Sequence, residues 1–473
     1  MHQKLITITL AMSLLGLFVY SFLHYSSTPL DGDMGVLIVA EGNAGKVLED
    51  PFGIHTILND DKHSNPNRFF AQNFFRNYFL TTPFLLQRIS TPVDSIYYAA
   101  AISKLLMEIG FIYLLTVLIL GSNSVFNRKG LLAAMLITPL FQAYAYVNYM
   151  DIVGQSITYA FFYALPLLLL LFFYTKLYLS VRNRVPLSGI SRLLLISLVV
   201  ILPLSGPLIP PVILVVDVVL AGFYLSTMKS NWSNLVNYFK NVFLAIPKSL
   251  LLYLIPTTIL SIYSLFLGAY NIENQTAVLS IGERYARLPI GLFKMLTGKL
   301  GLSLLLGFVL MNATLIKHFY LDNRAKEIIA HFKWLAIFAV IYILLLPLGG
   351  YREYRPYIVR SDTLMPVTIG LVYLYGASTY FLLGKMKNKF YPVAVIVFSL
   401  IFINAGRASL HGNDCEKYAL QTIANSNEKI VLLEEDCTVL SWFPIRDYHQ
   451  SRLNAKLLKI WGVTDEERLY YSK

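Results

Sequence analysis

Stretches of about 20 mostly apolar residues, the length a helix needs to cross the hydrocarbon core of a bilayer, recur along the whole chain. Eleven can be marked, at roughly 5–23, 97–120, 131–150, 157–178, 193–205, 212–228, 242–268, 300–316, 334–348, 364–384 and 390–405. Between the fifth and sixth stands only Gly206-Pro207-Leu208-Ile209-Pro210-Pro211, which suits either a re-entrant pair or two full helices. The chain is 56% hydrophobic and 14% charged, where soluble domains carry about 25% charged residues. A single soluble globular enzyme is therefore excluded. The 30 Phe and 32 Tyr exclude a disordered chain.

The net charge of +12 would point to nucleic acid in a soluble protein. In a membrane protein Lys and Arg instead gather in cytoplasmic loops, so no nucleic-acid partner is expected. With the N-terminus inside, the inner loops hold Arg128 and Lys129; Lys176, Arg182, Arg184 and Arg192; Lys229 and Lys240; Lys317, Arg324, Lys326 and Lys333; and Lys385, Lys387 and Lys389. The first outer loop, 24–96, is rich in Asp and Glu. The rule selects a cytoplasmic N-terminus and an extracytoplasmic C-terminus, in an integral protein of a bacterial inner or plasma membrane. No small-residue cleavage site follows the first stretch closely, so it is kept as an anchor.

The fold expected is an all-α polytopic membrane protein of about eleven transmembrane helices, residues 1–405. Juxtamembrane helices occupy the first outer loop, and an extracytoplasmic tail, 406–473, forms a small α/β or α+β unit. There is no internal repeat. The outer segments 24–96, 269–299 and 406–473 are too long for turns, and 349–363 is dense in charge. Chemistry is expected there, because loops on a rigid scaffold carry function.

Asp31 and Asp33 flank Gly32 just past the first span. Two carboxylates so spaced on a mobile loop can face one ligand. They can hold a divalent cation such as Mg or Mn, which takes hard oxygen ligands, or one can act as general base toward a hydroxyl. The same residues suit a solvated Asp-Gly turn, or a helix N-cap at Asp33. Further on, Phe69, Phe70, Phe74, Tyr78 and Phe79 fall near helical spacing, with Arg68, Asn73, Arg76 and Asn77 between them. Such a helix can lie in the headgroup plane or pack on other spans.

This arrangement resembles the GT-C superfamily of polytopic glycosyltransferases. The resemblance rests on the acidic pair Asp31 and Asp33 at the start of the first outer loop, the juxtamembrane helices, and the Asp-Pro-aromatic element Asp50-Pro51-Phe52. It covers the first 100 residues best and the span plan loosely. It implies a polyprenyl-phosphate-linked sugar as donor and a lipid, glycan or protein as acceptor. It makes Asp31 or Asp33 the general base or metal ligand, with Arg352, Arg355 or Arg360 stabilising the phosphate leaving group.

The segment from Gly349 to Asp362 places Arg352, Arg355 and Arg360 on the outer side, where basic residues should be scarce. Arg binds phosphate with two parallel hydrogen bonds. Tyr351, Tyr354 and Tyr357 recur every third residue beside them and suit the interface. Arg352, Arg355, Arg360, Tyr351 and Tyr354, with Arg76, are the expected substrate-binding residues. The Arg residues equally suit pairing with Glu353, Asp362 or the acidic first loop.

Other residues have bland and sharp readings. Ile281–Leu296 suits a second interfacial helix bent at Pro289, on which Glu283 and Arg284 either touch substrate or face solvent. Intramembrane polar residues are functional suspects by default. Here they are Asp217, Lys104 with Glu108 one turn on, and the group Gln142, Tyr144, Tyr146, Asn148, Tyr149 and Asp151. His55 and His63, in the first loop, suit either a metal or acid/base site or ordinary loop positions, the second being the commoner case. Cys415 and Cys437 are the only cysteines, both in the tail, and would join in an oxidising compartment. Besides a glycosyltransferase, two functions remain open: a polysaccharide polymerase or ligase of the O-antigen type, and a transporter or flippase. The last predicts internal repeats, which the sequence lacks.

Overall fold

A computed structural model describes residues 2–142, 150, 152–227, 246–275, 279–351, 356–405 and 409–473. Among these, eight helices are long and apolar enough to cross a membrane: Gln3–Ser26, Pro92–Leu120, Ile157–Asn183, Ile209–Ser226, Lys248–Gly268, Leu300–Phe319, Asn323–Leu348 and Ser361–Lys385. The chain is thus an all-α, multi-pass integral membrane protein. The expected spans at 193–205 and 390–405 are the shorter apolar helices Gly189–Ile201 and Phe390–Asn404. The one expected at 131–150 is a helix only over Arg128–Ile137, followed by a 3-10 turn, Thr138–Gln142. Its remainder lies largely outside the described residues, as do Lys229, Lys240, Tyr144, Tyr146, Asn148, Tyr149 and Asp151.

Hydrogen-bonded polar clusters sit within the bundle. Glu108 accepts from Ser21 Oγ at 2.9 Å, Tyr25 Oη at 2.8 Å and Gln142 Nε2 at 3.3 Å. Lys104 donates to the Gln155 carbonyl. Asp217 accepts from Tyr174 at 3.0 Å and Thr258 at 2.6 Å. Asn312 meets Ser378, Thr379 and Tyr391, each at 2.9 Å. Polar groups in an apolar bundle are costly unless matched in this way.

The two ends of the bundle differ. At one end Arg182 pairs with Glu327 at 3.0 Å, Arg324 pairs with the same carboxylate at 2.6 Å, and Lys385 pairs with Asp322 at 3.1 Å. Basic residues from three separate inner-loop groups of the sequence thus meet there. The other end, here the loop end, gathers residues 27–91, the segment after Gly268 and the tail.

The first loop is built of short helices, Met34–Val39, Asn43–Glu49 and Ile54–Leu58, then the longer Phe69–Leu86. The longer helix packs rather than floats. Its Phe75 and Phe79 are fully buried and stack on Phe161 of the Ile157–Asn183 span. Asp50 caps Ile54–Leu58, accepting from the Ile54 and Thr56 amides at 3.0 and 2.8 Å. The Asp-Pro-aromatic element is therefore a turn closed by its own acid.

The tail holds a helix, Asp414–Asn425, a strand, Ile430–Leu433, a second helix, Arg452–Ile460, and a second strand, Leu469–Ser472. The strands run parallel, with Ile430 opposite Leu469, and the helix Arg452–Ile460 lies in the crossover that parallel pairing requires. Cys415 and Cys437 are joined. The tail is seated on the first loop. Trp461, fully buried, donates to the Phe79 carbonyl at 2.9 Å, and Lys456 and Arg452 pair with Glu41.

Candidate functional site

Residues 63–70 are the hub of the loop end. The His63 carbonyl accepts from the Ile272 amide at 3.1 Å. Asn65 and Asn271 exchange hydrogen bonds at 3.1 and 3.2 Å, and Asn65 donates to Glu273 at 3.1 Å. On the other side, Asn67 accepts from the Gly206 amide at 3.0 Å and Phe70 donates to Leu204 at 3.2 Å. Gly206 has φ +120°, a conformation reserved for glycine. It lets the 202–208 turn lie against this strip. Arg68 is thereby held between the turn and the Ile272–Gln275 segment, its guanidinium 4.5 Å from the Phe162 ring centre.

Beside Arg68 opens a cavity of about 630 Å³. Asn67, Arg68, Asn271, Asn274 and Arg360 line it from loops and helix ends, and Tyr163 and Tyr342, which carry hydroxyls, line it from spans. Three spans add leucines to the lining, among them Leu214, Leu265 and Leu345. Arg360 forms a two-pronged pair with Asp362, Nε to Oδ1 at 2.8 Å, and lies 5.9 Å from the Tyr159 ring centre. Two guanidiniums thus stand on one cavity whose remainder is largely hydrocarbon.

Gly349, Tyr351 and Tyr357 are held by the helix Ile281–Thr297. Arg284 donates to the Gly349 carbonyl at 2.7 Å, Arg287 to the Tyr351 hydroxyl at 2.9 Å, and Lys294 to the Tyr357 hydroxyl. Tyr351 and Tyr357 line the cavity. Arg352, Tyr354 and Arg355 lie outside the described residues. Glu283 closes a capping box with Ser280, and the helix runs through Pro289 without a break. Arg76 is not among the cavity residues; its Nε donates to the Ile38 carbonyl at 2.9 Å.

Asp31 and Asp33 have unlike surroundings. Asp31 is 4% exposed. Its Oδ2 accepts from Ser156 Oγ at 2.7 Å and the Thr158 amide at 2.8 Å, and its Oδ1 from the Thr158 hydroxyl and the Asp33 amide. It clamps the first loop to the start of the Ile157–Asn183 span. Asp33 is only partly buried and accepts at Oδ1 from Trp442 Nε1 of the tail at 3.1 Å. Burial, and then the neighbouring Asp31 charge, raise the proton affinity of Asp33, while Arg68 on the cavity works the other way.

A metal held by both acids fits poorly, because Asp31 already accepts four hydrogen bonds. Among the described residues no third carboxylate or His joins the pair within ligand range. The one three-residue cluster of that kind is Cys415, Glu435 and Cys437, and its cysteines are joined to each other. His63 meets Thr56 Oγ1 at 3.0 Å and burial lowers its pKa, so it serves the loop's interior.

Sequence reasoning treated Arg68 as one polar position of an amphipathic helix and assigned Trp442 nothing. The signal for Arg68 was the Asn65-Pro66-Asn67 turn in front of it. Trp442 had no local signal. Fold and site together define a polytopic integral membrane protein with an arginine-bearing cavity at one end of its bundle. Compared with protein-family models, with curated proteins and with solved structures, the chain matches none.

Proposed function

We propose that this chain is a membrane glycosyltransferase of the GT-C type. It takes a sugar from a polyprenyl-phosphate donor and passes it to an acceptor hydroxyl on the extracytoplasmic face. The observation that carries the reading is the cavity itself, with Arg68 and Arg360 at its polar lining and leucines of three spans behind them. A lipid phosphate needs that pairing: guanidinium donors for the oxygens and a hydrocarbon slot for the chain.

In this reading Asp33 takes the proton from the acceptor hydroxyl. The freed oxygen attacks the anomeric carbon, the bond from that carbon to the phosphate oxygen breaks, and its electron pair leaves on the polyprenyl phosphate. Arg68 and Arg360 stabilise the charge that develops there. The elevated proton affinity of Asp33 suits a base. Asp31, with its oxygens already engaged, holds the loop that presents Asp33. The test is transfer of a labelled sugar from a polyprenyl-phosphate pool in membranes carrying Asp33→Asn. Loss of roughly 10²-fold or more, the scale of a missing general base, supports the reading, and transfer at the wild-type rate overturns it.

The O-antigen-type polymerase or ligase is the second reading, favoured by one observation: the guanidiniums line the cavity and Asp33 is not among its lining residues. It predicts loss of product in Arg68→Gln and Arg360→Gln with Asp33→Asn fully active.

A further inference from the structure

The tail reaches into the site at one residue. Trp442 donates its indole N–H to Asp33 Oδ1 at 3.1 Å. Its ring centre lies 6.2 Å from that of Tyr159, which in turn meets the Tyr163 ring at 5.5 Å and the Arg360 guanidinium at 5.9 Å. A chain of neighbouring contacts therefore runs from Asp33 through Trp442 and Tyr159 to Tyr163 and Arg360, which line the cavity.

The loop that bears Trp442 is fixed on both sides. Cys437 is tied to Cys415. The Leu440 amide donates to Glu416 Oε1 at 3.0 Å, and the Leu440 carbonyl accepts from Asn454 at 3.0 Å. Leu440 itself is held at φ +48°, a left-handed conformation uncommon for leucine that survives only where the surroundings over-determine it. The approach to the first loop is equally close: a Cβ on Gly32 would sit 2.6 Å from both Trp442 Cδ1 and the Trp442 backbone nitrogen. Only a glycine between Asp31 and Asp33 admits the indole at this distance.

A residue that merely glued the tail down would not need such aim. The docking is already secured elsewhere, by Trp461 on Phe79 and by Glu416, which accepts from the Leu30 amide and the Tyr97 hydroxyl, both at 2.8 Å. Trp442 stays 43% exposed, so its ring adds little to the tail's own core. Among the described residues its one polar side-chain contact is to Asp33.

We infer that Trp442 is a positioning residue: its indole N–H fixes the orientation of the Asp33 carboxylate, so that the tail completes the site formed by the first loop. This rests on the reading of Asp33 as the base. The hydrogen bond holds one oxygen and leaves the other directed toward the acceptor hydroxyl. A preset orientation of this kind is worth rate in proportion to how far the unheld group would wander from it.

The experiment compares Trp442→Phe, Asp33→Asn and the double variant in membranes, measuring sugar transfer, with protease resistance of the tail as a parallel readout. Trp442→Phe keeps the ring and deletes the donor. It is expected to lower kcat about tenfold, the scale of one hydrogen bond to a charged group, with KM for donor and acceptor within about twofold. In the Asp33→Asn background the same change should cost nothing further, because the two act as one unit. Gly32→Ala, whose methyl meets both the indole and the backbone of the 441–442 loop and so pushes that loop off Asp33, should reproduce at least the same kcat loss. The inference is overturned if Trp442→Phe transfers normally while Asp33→Asn is dead. It is also overturned if the losses multiply, or if the tail of Trp442→Phe is cut as fast as an undocked chain. If Asp33→Asn itself transfers normally, the base reading falls and the inference falls with it.

Discussion

Glu108 in the bundle and Asp33 at the loop end are both acids shielded from bulk water, yet the chain surrounds them differently. Glu108 is enclosed by Ser21, Tyr25 and Gln142 and is fully buried. Asp217 has Tyr174 and Thr258. In both, side-chain donors from neighbouring helices engage each carboxylate oxygen: hydroxyls at Asp217, hydroxyls and an amide at Glu108. Asp33 stands partly open, with Trp442 on one oxygen, Asp31 beside it and Arg68 within electrostatic range. Matched polarity holds the bundle together, whereas polarity beside a void is available to a substrate. The rule also sorts the acidic pair: Asp31 follows the bundle's pattern although it is two residues from Asp33.

The sharpest way to break this contrast is to exchange the roles of the pair. Asp33→Asn should lose roughly 10²-fold or more of sugar transfer and keep its fold. Asp31→Asn should instead lose about 1–3 kcal/mol of stability, because it turns acceptors of buried donors into a mismatched amide. Thermal unfolding in detergent would register this, and a stable but inactive Asp31→Asn protein would dissolve the distinction. Next in size is Arg68→Gln, expected to lower kcat roughly tenfold, as loss of a charge-assisted contact to the developing phosphate charge would, with KM for the lipid donor changed less. An unchanged kcat would remove Arg68 from that role.

A smaller effect tests the tail. Glu416 is buried, and desolvation lifts its pKa from 4.5 to about 7 against the pull of the Leu440 and Leu30 amides. A raised carboxyl pKa means that the docked state holds the proton longer than the undocked one. Its stabilising contribution is full below about pH 4.5, declines as pH rises toward 7 and is gone above it. Proteolysis of the tail should therefore quicken over that window, and Glu416→Gln should flatten the profile; a flat wild-type profile would refute this. Smallest of all, Asp217→Asn should leave transfer within about twofold, since its partners are helix hydroxyls rather than cavity. A large loss there would show that matched polarity can be functional after all.

Much of this was legible in the sequence. Apolar length marked the eight long helices, and charge marked which loops would share an end: Arg182, Arg324 and Lys385 do meet. Length and charge are additive along a chain and need no knowledge of partners. What escaped depends on distant pairings. The aromatic stretch suited an interfacial helix or one packed on other spans, and contact with Phe161 decides for packing. Arg76, an expected substrate-binding residue, donates its Nε to the Ile38 carbonyl. Arg68 is aimed by Asn271 and Gly206, both more than a hundred positions away, and Trp442 reaches back across 409 positions to Asp33. The split within the acidic pair was decided by Ser156 and Thr158, which no local pattern could name.

The parallel pairing of Ile430–Leu433 with Leu469–Ser472 bears on biogenesis. That ribbon closes the unit whose Trp442 loop meets Asp33, and Ser472 donates its amide to Ile445 at 2.7 Å, just past the loop. A ribosome delivers residue 33 early and residue 472 some 440 residues later. The loop end can therefore be inserted long before it is finished. A nascent or truncated chain that lacks the second strand would lack the closed tail unit, and Asp33 would stay without its indole partner until translation had passed that strand.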